Sequence, residues 1–106
     1  MEMTDEDEFR DELLRRIVEA IDKTGHTFFG LLTSIKDDGA VATARRLISP
    51  QNNETFQDGM RQLKDANLLH FTVEQAVIDF GEQGKIFTPG EVAAAKERLQ
   101  LVLIVL

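Results

Sequence analysis

Apolar residues recur along this chain at spacings of three and four, and nowhere alternate with a period of two. That rhythm predicts helices and argues against a sheet. Phe9, Leu13, Ile17 and Ile21 step by four, with Leu14 and Val18 beside them. Acidic residues open this segment, as suits the positive end of a helix dipole, and Gly25 marks its stop. A helix over 5–23 follows, after a disordered start at 1–4. In TFFGLLTSIKDDG, Phe28, Leu31, Leu32 and Ile35 cover one side and Phe29 widens it. Gly30 inside this segment costs about 1 kcal/mol against Ala, which suggests that another backbone packs close to it. In GAVATARRLISP, Val41, Ala44, Leu47 and Ile48 share a face and Pro50 ends the helix.

SPQNNE is a turn-rich loop. TFQDGMRQLKDAN places Phe56, Met60 and Leu63 together, and Asn67 suits a left-handed helix end. At Thr72, the TVEQ stretch has a capping residue with Gln75 three positions on, followed by Val73, Ala76, Val77 and Phe80 as an inner side, with Gly81 and Gly84 punctuating the exit. TPGE repeats the device, with Thr88 as cap, Pro89 at the first helical position and Glu91 as the box partner. Val92, Ala95, Leu99, Val102 and Leu106 then run down one face, against a polar side of Lys96, Glu97, Arg98 and Gln100. The expected fold is all-α, a compact bundle of five or six short helices in one domain over 1–106, with 26–100 as its core.

The final stretch, LQLVLIVL, breaks the amphipathic pattern. From Leu101 to Leu106 every residue is apolar, and a helix apolar all round must be covered on all sides. Three coverings are open: burial by the rest of the domain, contact with a protein partner or a second copy, or a switch to strand, for which LVLIVL has the composition. The run is far short of the roughly 20 residues of a membrane span. Leu101, Leu103, Ile104 and Val105 are therefore candidate contact residues for a protein partner or homodimer.

Composition narrows the classes. The chain has 106 residues, 42% hydrophobic and 29% charged, a globular balance at single-domain size. It has no Cys, hence no disulfide framework, thiol chemistry or Cys-based zinc site. That fits a reducing, cytoplasmic setting, and the acidic MEMTDEDEFR is unlike a signal peptide. The formal net charge is −7. Nine acids against three bases in residues 1–22 account for −6 of it. An acidic chain argues against non-specific nucleic-acid binding, though an acidic helix can meet a basic partner.

Candidate chemistry is sparse. There is no HExxH, EF-hand loop, phosphate loop or GxSxG motif. His26 precedes a helix and reads as a capping or packing residue. His70, between Leu69 and Phe71, reads as a histidine at the edge of the core. Glu82 and Lys85 in FGEQGK are a faint echo of a nuclease pair, without the several carboxylates two metals require. Arg45 and Arg46 are adjacent, and Arg61 and Lys64 lie three apart. Together they make a candidate basic spot for an acidic partner, or else surface pairs with Asp58 and Asp65. A helix-turn-helix over 40–66 would need a tighter turn than this loop allows. No cofactor and no metal site is expected.

Three stretches, GAVATARRLIS, GMRQLKDANLLHFTVEQAVI and FTPGEVAAAKERL, resemble a recurring block in small bacterial helical domains of unknown function, over roughly residues 26–99. The block carries an Ala-rich Arg-Arg-Leu, then a Leu-Thr-Val-Glu-like stretch, then Phe-x-x-x-Glu before a final helix. This chain departs from it at Lys64, where the block has an aromatic residue. It departs again at Asn67, Leu68, Leu69 and His70, where the block has Gly-Arg-Leu-Asp. The resemblance implies a bacterial or phage origin and a compact helical module, and no activity. The functional expectation is a non-enzymatic protein-interaction module acting through the apolar tail or the Arg45–Arg46 pair. The alternative is an accessory or inhibitor of a nucleic-acid enzyme whose acidic N-terminal helix imitates phosphate charge.

Overall fold

The computed structural model describes residues 3–49 and 60–105, for Val105 the backbone alone. Pro50, Phe56 and Leu106 therefore lie outside the described residues. Among those described there are six α-helices, one 3-10 turn and no strand, so the fold is all-α.

Helix α1 spans Asp5–Thr24. Thr4 caps it with a complete box: its hydroxyl accepts from the Asp7 N–H at 3.1 Å, and the Asp7 carboxylate accepts from the Thr4 N–H at 3.3 Å. Gly25, at φ 75°, ends it in the left-handed conformation that glycine adopts without a Cβ clash. Phe9, Leu13, Ile17 and Ala20 form its buried side. Val18, expected beside that stripe, is exposed, because one residue past Ile17 turns the side chain about 100° away from the core.

Helix α2 spans Phe29–Asp38 and α3 spans Ala40–Ile48, with only Gly39 between them. The Ser34 and Thr43 hydroxyls, 2.9 Å apart, join the two. Phe28, in the left-handed region at φ 52°, is buried and meets the His26 ring edge-on at 4.8 Å. Phe29 does not widen the inner face; it is 73% exposed, since the helix starts only at that residue and turns it outward. Gly30 has open space where a Cβ would stand, so none of the described residues packs its backbone against it.

Helix α4 spans Met60–Asp65. Asn67 adopts φ 60°, and a 3-10 turn over Leu69–Phe71 leads to Thr72. Helix α5 spans Val73–Glu82 and α6 spans Pro89–Val105. Thr72 caps α5, accepting from the Gln75 N–H at 3.1 Å. The reciprocal half of that box is missing, because the Gln75 side chain reaches forward to Asp79. The Thr88–Glu91 box of α6 is complete.

Three contacts set the directions of the long helices. Phe9 packs edge-on against Phe80 at 5.1 Å and Phe87 at 5.0 Å. Arg16 reaches Asp79 at 2.8 Å. Ile17 and Ala20 line a small apolar void with Thr72 and Val73. Helix α1 therefore runs antiparallel to α5. Helix α6 in turn runs antiparallel to α5, with Gly81 beside Val92 and Glu74 beside Arg98. The starts of α1 and α6 consequently share one end of the bundle. The other end holds the close of α1, the start of α5 and the last turns of α6.

Gly81 does more than punctuate an exit. It lies within α5, and a Cβ built there would stand 2.1 Å from Val92 Cγ2. This glycine, rather than Gly30, is where two helices close on each other. Nor does Arg98 belong to the polar side of α6: it is buried, donating from Nε to the fully buried Glu74 carboxylate at 3.0 Å.

Candidate functional site

The level of Arg98 is the level at which α5 begins, because its carboxylate partner Glu74 is the second residue of that helix. Beyond it α6 continues without α5 alongside, and this explains the state of the apolar tail. Val102 is fully buried, whereas Leu101, Leu103 and Ile104 are 45%, 62% and 79% exposed. At about 100° per residue, Leu101 and Leu103 flank Val102 on either side, and Ile104 lies about 160° from it. The tip of α6 thus presents apolar surface on every side except the one that Val102 occupies. Full internal burial of the tail, one of the three expected coverings, is not what the domain achieves. The tail is helical through Val105, so it is not a strand either.

The candidate basic residues diverge. Arg45 donates from Nε to Glu91 at 2.9 Å and from Nη2 to the Ile86 carbonyl at 3.2 Å. Its guanidinium lies 5.7 Å from the centre of the Phe87 ring, within cation–π range. Arg45 thereby ties α3 to the connection between α5 and α6. Burial pushes the Glu91 carboxyl up, but the Thr88 amide and Arg45 outweigh it and hold the group below its ordinary value. Arg46 turns to Asp38 at 3.1 Å and to the Ser34 hydroxyl. Adjacent in sequence, the two arginines serve different elements; Asp58, one of the two expected partners of the basic residues, lies outside the described residues. Arg61 and Lys64 lie on α4, on a different helix from either.

The remaining candidates are separated as well. His26 packs on Phe28. His70 is exposed rather than at the core edge, tilted against Phe71 at 4.3 Å between ring centres, because the 3-10 turn directs Leu69 and Phe71 inward and the residue between them outward. Glu82 pairs with Lys96 at 3.2 Å, and Lys85 pairs with Glu8 at 3.0 Å. The hydrogen bond to the Glu8 carboxylate raises the Lys85 pKa. Among the described residues no group of three or more His, Asp or Glu side chains could hold a metal ion.

One polar recess, of about 270 Å³, lies between α1, the 3-10 turn and α5. Arg15, Arg16, His70, Phe71, Gln75 and Asp79 line it. Arg16 is held there by Glu12 at 2.7 Å and Asp79 at 2.8 Å, and Asp79 also accepts from Gln75 at 2.9 Å. Glu12, receiving hydrogen bonds from Arg15 and Arg16, titrates at about 2 instead of its ordinary 4.5.

Sequence reasoning missed the Glu74–Arg98 pair, although a signal was present. Glu74 stands at the inward register of Val77, Ile78 and Gly81, and Arg98 at that of Ala95 and Val102. Each is a charge on an apolar stripe, and opposite charges so placed on neighbouring helices are natural partners. Among the described residues no helix is long and apolar enough to cross a membrane. No family model matches the chain, and no match to a curated protein or to a solved structure reaches significance.

Proposed function

We propose that this chain is a small, non-enzymatic, cytoplasmic protein-interaction module of bacterial or phage origin that self-associates through the apolar tip of α6. The observation that carries this reading is the exposure of Leu101, Leu103 and Ile104 around the buried Val102. Removing such side chains from water contributes about 1.5–3 kcal/mol each when burial is complete, and none of the described residues covers them. Three side chains bury far less than the roughly 800 Å² per partner of a standard interface. The expected association is therefore reversible and concentration-dependent. In the alternative role for α1 as a phosphate mimic, Asp7, Glu8 and Glu12 would share their charge with Arg10, Lys85, Arg15 and Arg16, while Asp5 and Glu6 are exposed.

Sedimentation equilibrium of the full chain tests this. The average mass should rise from 11.9 kDa toward twice that value with concentration, and should do so equally at high salt, because apolar contact is not screened. The double variant Leu103→Lys, Ile104→Lys, both at exposed positions, should keep its helicity and stay monomeric. A wild-type chain that is monomeric throughout, or whose association salt abolishes, refutes the reading.

A further inference from the structure

We infer that the copies meet tip to tip across a two-fold axis, so that assembly stops at two. This rests on the self-association just proposed, and three observations carry it beyond that reading. The first is how the exposed apolar residues are distributed. Val18, Phe29, Leu101, Leu103 and Ile104 lie in the half of the bundle that holds the close of α1 and the tip of α6; among the described residues Met3 alone lies at the other end. That other end carries the exposed Asp5, Glu6 and Asp38, all acidic, whereas the exposed charges at the close of α1, Asp22 and Lys23, are of opposite sign. A head-to-tail contact, the kind that propagates into filaments, would press leucines against carboxylates and strip those charges of water. Tip against tip matches like with like and closes on itself.

The second observation is where the apolar surface ends along α6. Upstream of Leu101 the exposed positions are Pro89, Gly90, Ala93, Lys96, Glu97 and Gln100, three of them polar or charged side chains. A side-by-side pairing of α6 helices would bury those polar groups, so contact is confined to the tip. The third is charge. The acidic start of α1 shares an end with the start of α6, about 22 Å along the helix axis from Ile104. That exceeds the Debye length of about 8 Å at physiological salt. Tip-to-tip docking sends the two acidic starts of α1 outward, so Asp5, Glu6, Asp7 and Glu8 do not oppose it.

The chain contains no Cys, which allows a direct test with single introduced thiols. Gln100→Cys, next to the tip, should oxidise readily to a covalent dimer, while Glu6→Cys, at the acidic end, should not. Small-angle scattering of the wild-type dimer should show a particle longer than the 40 Å of one chain, with no larger species. Efficient cross-linking of the Glu6→Cys variant, a ladder of trimers and higher species, or a dimer no longer than the monomer overturns tip-to-tip docking while leaving self-association intact. A monomer at every concentration removes the reading beneath it.

Discussion

Adding one methyl group at Gly81 should reverse the sign of its effect according to what stands at position 92. In the wild-type background the new Cβ of Gly81→Ala would meet Val92 Cγ2 at 2.1 Å, well under the 3.0 Å that real Cβ contacts respect. Relief requires a movement of about 1 Å or more. The methyl belongs to a β-branched side chain with little χ1 freedom, on a buried valine. Overpacking of this kind costs about 1–3 kcal/mol. Against it stands the gain of about 1 kcal/mol when alanine replaces glycine inside a helix. The expected net effect is a loss of up to about 2 kcal/mol. Val92→Ala removes the opposing methyl at its own cavity cost. In that background Gly81→Ala keeps the helix gain and should stabilise by up to about 1 kcal/mol. Urea unfolding of the four proteins closes a double-mutant cycle with an expected coupling of about 1–3 kcal/mol. If Gly81→Ala has the same effect in both backgrounds, α5 and α6 do not approach at this residue.

Two further perturbations probe the charges. Glu12 titrates at about 2 in the fold, held there by Arg15 and Arg16, against an ordinary 4.5. The folded state binds this proton less readily than the unfolded chain, so its contribution is complete above the ordinary value and disappears as pH falls from there toward 2. Glu12→Gln should flatten the loss of unfolding free energy over that window, and an unchanged slope would show that the Glu12–Arg cluster does not set it. Glu74→Leu takes the Glu74 carboxylate away from the buried Arg98 guanidinium and should cost about 3–5 kcal/mol. Adding Arg98→Met should restore most of that stability, and a double variant no more stable than the single would mean that the two residues are not coupled.

Most of the fold was legible because helix ends are written locally. Thr88, Pro89 and Glu91 announce the start of α6, Gly25 the end of α1, and Asn67 the end of α4, since each choice answers an orphan backbone group or a positive φ within a few residues. Which glycine mediates a close approach was not legible. Gly30 and Gly81 look alike in sequence, and only the partner helix distinguishes them. The same holds for Phe28 and Phe29, where one left-handed residue decides which ring turns inward. Among the candidate site residues, Leu101, Leu103 and Ile104 stood out from composition alone. The divergence of Arg45 and Arg46 depended on Glu91 and Asp38, whose positions relative to α3 no local pattern gives. His70 misled because apolar neighbours signal burial in a helix or strand, and a 3-10 turn breaks that rule.

The ion pair between Glu74 and Arg98 also acts as a ruler. Sliding α6 by one turn, about 5.4 Å, would pull both charges from each other inside the core, a penalty of several kcal/mol that a smooth apolar seam would not impose. The overhang of the last helix is therefore pinned. The molecule exposes a fixed length of apolar helix, set from within the interior by two buried residues of opposite charge.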